Sequence, residues 1–126
     1  MEWNISKQIG RRVPIVEKST VSYVNMEDIT HITCVGHVSS IHLITGKEYH
    51  VARLLKKFEE ELAPCCFLRV NRHTLVNIRH VDDTQRTKRL LHIGNITISV
   101  SKEKMSLLKK ENSNLKNSIF AVTNLK

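Results

Sequence analysis

"FLRVNRHTLVNIRHV", residues 67–81, is the stretch on which the reading of this chain turns. Its ends look like buried strand, with Phe67, Val70, Leu75, Val76 and Ile78 supplying apolar, largely strand-favouring side chains. Its middle is a polar knuckle, Asn71-Arg72-His73-Thr74, without the glycine or proline of an ordinary turn. In a sheet-rich protein, strand ends and loops project to the surface and carry recognition. Arg72 placed there offers a rigid fork of donors that matches guanine's two acceptors or a phosphate. The plainer alternative has Arg69 and Arg72 in surface ion pairs with an acidic helix upstream.

The segments around this stretch are mostly short strands. Residues 13–17 (VPIVE) and 20–25 (TVSYVN) alternate, with Val21, Tyr23 and Asn25 expected to share a face. Residues 28–34 (DITHITC) bring both Ile29 and Ile32 inward only if the strand slips or bulges. Residues 37–51 read as a hairpin turning at Thr45-Gly46-Lys47, with Val38, Ser40, His42 and Ile44 on one face. Residues 88–100 read as another, turning at Gly94-Asn95. Two helices are expected. Val51, Leu54, Leu55, Phe58 and Leu62 form one helical stripe with Glu59, Glu60 and Glu61 facing water and Pro64 as the stop. The second opens at Ser101 as N-cap and buries Met105 and Leu108.

The 126 residues, 40% hydrophobic, suit one domain with a modest core. Residues 1–12 are expected to be an N-terminal extension, 13–112 the folded domain and 113–126 a tail. Beyond Asn112 the pattern fits a longer helix, another strand or a frayed end. Three cysteines, two of them adjacent at Cys65 and Cys66, make no disulfide framework and favour a reducing cytoplasm. No apolar run reaches the roughly 18 residues of a membrane span, and the N-terminus lacks a signal-peptide layout.

Charge is unevenly placed. The net value is +8, yet residues 17–64 carry 5 basic and 7 acidic side chains, whereas residues 69–110 carry 10 basic and 3 acidic. A half-molecule this basic suits a polyanion, nucleic acid first and an anionic membrane surface second. Aromatic content of 5% argues against base-stacking recognition of single-stranded RNA. No CxxC or HExxH spacing suggests a metal, and no glycine-rich phosphate loop or nucleophile motif suggests an enzyme, so no cofactor is expected.

The stretch from Phe67 to Val81, followed about twenty residues later by Ile98-Ser99-Val100-Ser101-Lys102, resembles the LytTR DNA-binding domain of bacterial transcription regulators. Phe67, Arg69, Val70, Arg72, Leu75, Val76, Asn77, Ile78 and Val81 stand at the family's positions, and Val100, Ser101 and Lys102 match its later segment. The resemblance covers roughly residues 13–110. The chain departs from the pattern at Asn71 and His73, usually histidine and serine, at Lys102, usually arginine, and at Ser99, usually proline. Lysine cannot make arginine's fork, so these departures bear on sequence preference rather than on the fold.

The resemblance implies a mainly β fold, an elongated β-sandwich of short antiparallel strands with one or two small helices. Loops rather than a recognition helix would enter successive major grooves of double-stranded DNA. The contact regions map onto Gly36-His37-Val38, onto Arg72 with Arg69, Asn71 and His73, and onto Ser101-Lys102 with Lys104 nearby. Asn77 is expected to be structural, its amide pinning the backbone where a strand leaves its sheet. A homodimer on repeated half-sites is the family habit. The length leaves no room for a receiver domain of about a hundred further residues, so control would come from abundance, a partner protein or the tail. The rival readings are a module that meets a protein or an anionic surface through the same basic face, and an RNA binder.

Overall fold

The computed structural model describes residues 11–62 and 66–108. The expectations for Pro64 as a helix stop, for Cys65 and for the tail at 113–126 fall outside those residues, as does most of the N-terminal extension. The strands are β1 (Arg12–Glu17), β2 (Thr20–Asn25), β3 (Ile29–Val35), β4 (Val38–Leu43) and β5 (Glu48–Val51), followed by helix α1 (Leu55–Leu62). Then come β6 (Phe67–Asn71), β7 (Thr74–Asn77), β8 (Asp83–Gln85), β9 (Leu90–Ile93) and β10 (Ile96–Ser99), and a helix, α2, at 102–108. The described residues are mostly β, with three antiparallel sheets and two small helices.

A five-stranded sheet, ordered β5-β4-β3-β7-β6, forms the middle layer. Its two faces follow from the strand period of two. Along one cross-strand row, Arg69, Leu75, Ile32, Ile41 and Tyr49 point to the same side. There they meet Leu55, Phe58 and Leu62 of α1 and Val13, Ile15 and Val24 of the two-stranded β1-β2 hairpin. The neighbouring row, Leu68, Val76, His31, His42 and Glu48, points the other way. Only its first part is covered: Val70, Val76 and Ile78 pack against Leu91, Ile93, Ile98, Met105 and Leu108, brought by the three-stranded sheet β10-β9-β8 and α2. The stretch at 67–78 therefore feeds two apolar clusters from opposite faces, which explains why both alternate positions in it are apolar.

The bulge expected in β3 is present as a register shift between Ile29 and His31, and it leaves both Ile29 and Ile32 at 0% exposure. The Gly94-Asn95 hairpin closes as expected between Ile93 and Ile96, with Gly94 at φ +56°. The shared faces expected in β2 and β4 are present and turn outward, and the helical stripe is corrected. Val21, Tyr23 and Asn25 do share a face, but it is the outer one. The register sets Val24 opposite Val13 on the core side, and Tyr23 stays 62% exposed beneath the Arg12 guanidinium. In β4 the core side belongs to Ser39, Ile41 and Leu43, so Val38, Ser40 and His42 lie on the open face and Ile44 is exposed beyond the strand. The helical stripe is shorter than its periodicity suggests, because Val51 belongs to β5 and Leu54 is exposed just before α1.

Glu59 and Glu61 do not simply face water either. Glu61 pairs with Arg53, whose guanidinium lies 4.6 Å from the centre of the Phe58 ring, and Glu59 pairs with Arg69. No helix among the described residues is long and apolar enough to cross a membrane.

Candidate nucleic-acid interface

The strand directions gather four connections at one end of the molecule. β3 and β7 are antiparallel, with Thr33 opposite Thr74, so the β3–β4 turn at 36–37 and the β6–β7 turn at 72–73 share an end of the central sheet. The Cys34 N–H donates to the His73 carbonyl at 2.9 Å and ties these turns together. The Asn71 side-chain amide donates to the Ser99 carbonyl at 2.7 Å, and the Ser101 N–H to the Val70 carbonyl at 2.9 Å. These bonds bring the start of α2 to the same end. Because Ser99 pairs with Leu90 and Leu90 with Gln85, the β8–β9 turn at 86–89 lies there as well.

The β3–β4 turn has two residues between Val35 and Val38, and Gly36 takes φ +62°, a conformation that glycine adopts without steric cost. His37 next to it is exposed, with no partner among the described residues. The β6–β7 turn solves the absence of glycine differently. Asn71 Oδ1 accepts the His73 N–H at 2.8 Å, an Asx-type closure, and a register shift between Arg69 and Asn71 accommodates it. Arg69 braces the turn from below, with Nη2 donating to the Arg72 carbonyl at 2.8 Å and Nη1 lying 3.3 Å from Glu59 Oε1. The ion-pair alternative thus holds for Arg69. Arg72 is different: its side chain is exposed and has no partner among the described residues, and His73 beside it is also exposed.

Ser101 caps α2, its Oγ accepting the Lys104 N–H at 3.3 Å. Lys102 is exposed at the first helical position, while Lys104 is half-buried. Of the eight residues singled out by sequence, then, Asn71, Arg69 and Ser101 have polar groups engaged in building the turns. His37, Arg72, His73 and Lys102 project from them, with Lys104 a little behind. Arg86, Lys88 and Arg89 on the β8–β9 turn were missed. Their charge was visible in the basic half, but nothing local in "QRTKRL" says that β8 precedes it, since β8 is only three residues long. In the segments that make this end, Glu103 is the single carboxylate. Asp82 and Asp83 sit at the opposite end of β8, where Asp83 pairs with His92.

Asn77 is structural, as expected. It is 2% exposed, donates to the Ile29 carbonyl at 3.0 Å and accepts the Arg79 N–H at 3.1 Å.

The groups with shifted proton affinity lie away from the four tips, on the open face of the central sheet. His31 and His42 stack across strands, ring centres 4.1 Å apart. Burial, with the neighbouring His42 adding to it, lowers the His31 pKa to about 4. Burial also lowers that of His42, against the opposing pull of Glu48. Among the described residues no group of three His, Cys, Asp or Glu side chains is arranged to hold a metal ion. The site offers cations, imidazoles and backbone-fixed turns on a rigid platform, which is the equipment for gripping phosphates and base edges.

The comparisons with known proteins agree with this geometry. The family described as the LytTr DNA-binding domain matches residues 19–112. The transcriptional regulatory protein LytR of Staphylococcus aureus (strain MW2) is 22% identical over 83 residues. That match takes in 66% of this chain, which spans only 33% of that relative's length. Among solved structures, the LytTr DNA-binding domain of a Bacillus cereus protein described as a methyl-accepting/DNA response regulator superposes with a TM-score of 0.67 at 18% identity. The superposition covers 79% of this chain and 94% of that one, and it shows a common fold. With the match running through three-quarters of its length, the chain belongs to the LytTr family of DNA-binding domains.

Proposed function

We propose that this protein is a sequence-specific, double-stranded-DNA-binding transcription regulator of the cytoplasm that reads major grooves through turns. The observation that carries this reading is the convergence of His37, Arg72 and Lys102, from three separate connections, at one end of the sheet core. Arg72 has the donor fork for guanine N7 and O6, and its backbone is held by Asn71 and Arg69, so little backbone freedom is lost on binding. His37, His73 and Asn71 lie close enough in the chain and the fold to share in groove contact. Lys102, Ser101 and Lys104 face the sugar-phosphate backbone, where a lysine's point charge suffices. Two copies would bind repeated half-sites, and a regulatory partner protein would act on surfaces outside this end.

A random-duplex selection with the purified chain, read at two salt concentrations, tests the proposal. Enrichment of a common motif that survives at the higher salt is the expected result. A well-folded chain that enriches nothing and binds no duplex in dilute buffer would end this reading in favour of a protein- or lipid-facing module. Tighter binding to matched RNA duplexes would favour the RNA reading.

A further inference from the structure

The β8–β9 turn has a use that the three-contact arrangement leaves unassigned. Arg86, Thr87 and Arg89 on this turn, with Lys102, Met105 and Ser106 on α2, line an open groove of about 710 Å³. Arg86 and Arg89 are exposed, and their guanidinium groups have no partner among the described residues. The groove is rigidly framed: the Val100 N–H donates to the Arg89 carbonyl at 2.8 Å, so the turn is bonded to the strand that leads into α2. Buried Met105 gives it an apolar side, and the Ser106 side of the helix is exposed.

Arg89 also holds an unusual backbone position, φ +53°, where glycine would sit without steric cost.

We infer that this groove is a clamp for the phosphates of one DNA strand, a fourth contact that extends the footprint past the Lys102 end. The inference rests on the DNA-binding reading above and deepens it. The groove's walls carry three cations and no carboxylate, which suits a chain of phosphodiesters. Spread over a turn and a helix, these cations suit successive phosphates of one strand, which makes the contact independent of sequence. Its place beside Lys102 makes it continuous with the other tips, and a strand leaving the groove contacted by Arg72 and Lys102 would pass over the β8–β9 turn.

The test uses the full chain as wild type, as Arg86→Ala/Arg89→Gly, and as Arg72→Ala. Each is titrated by fluorescence anisotropy, over a range of salt, against the selected duplex and a scrambled duplex of equal length. Releasing two counterions fewer should make the log–log salt slope of the Arg86/Arg89 variant shallower by about two. Its affinity at about 150 mM salt should fall by roughly 30-fold on both duplexes alike, leaving their ratio unchanged. Its thermal midpoint should be kept, because glycine accepts the conformation at position 89 and position 86 is exposed.

A variant with wild-type affinity and slope would overturn the clamp while leaving the proposed function intact, provided Arg72→Ala still loses the selected site. A loss confined to the selected duplex would overturn it too, by showing base reading instead. A wild type that ignores every duplex removes both proposals together.

Discussion

At the scale of single residues, the β6–β7 turn shows how polar side chains can replace glycine. Asn71 closes the turn through its Oδ1 and anchors it to Ser99 through its Nδ2, so one side chain sets both the conformation and the position of the tip. Arg69 and Arg72, three residues apart and chemically identical, have opposite fates. Arg69 lies on the face that meets α1 and is held by Glu59, whereas Arg72 lies in the two-residue loop and reaches outward. Arg72→Ala is therefore expected to cost about 1–3 kcal/mol of binding to the preferred duplex and much less to a scrambled one. Equal losses on both, in anisotropy titrations, would assign Arg72 to the backbone rather than the bases.

Asn77 gives the contrasting prediction. Alanine there strips partners from the Ile29 carbonyl and the Arg79 N–H. The expected cost is about 1–3 kcal/mol of folding stability for the buried group left unsatisfied. Urea unfolding measures it, and an unchanged midpoint would show that water replaces the amide.

At the scale of elements, the central sheet has one face fully covered and the other covered only toward β6 and β7. That second face carries the buried His31 and the more open His42 and His50, linked to Thr30, Thr33, Ser40 and Glu48 by hydrogen bonds or ion pairing. His31 is the buried member, and its lowered pKa has a consequence for stability. The folded state resists taking up a proton that the unfolded chain accepts near the ordinary value of 6.5. The native state thus keeps its full advantage above that value and loses it as the pH falls toward about 4. Thermal midpoints measured across this interval should drop with acid. His31→Gln, which carries no titrating group, should flatten the decline even if it lowers the midpoint at neutral pH. A variant with the same acid slope as wild type would show that groups other than His31 account for the loss.

At the scale of the whole molecule, charge and topology act together. The acidic half supplies α1 and most of the strands that build the platform, and the basic half supplies two of the three turns at one end and α2. Charge is thereby segregated along the molecule, which steers a polyanion toward one end rather than coating the surface. If about six phosphates are neutralised, the log–log dependence of affinity on salt should have a slope of roughly −5. A slope near zero with intact specificity would mean that groove contacts alone hold the duplex.

Much of this was legible in the chain itself. The stretch at 67–78 showed its buried strand ends through their apolar residues, and Gly36, Gly46 and Gly94 marked turns with positive φ. Ser101 announced a helix start, and the polar run around Arg72 marked a projecting turn, because these are matters of local geometry and spacing. Other features depended on which surface met which. Val21 and Tyr23 against Val24 could not be sorted by alternation, since both faces of that hairpin carry apolar side chains and only docking onto the core chooses between them. Arg69 and Arg72 could not be separated until α1 lay against one of them. The approach of residues 86–89 to Lys102 was likewise decided by strand pairing across segments distant in sequence, because only hydrogen-bonded register converts a basic composition into a groove.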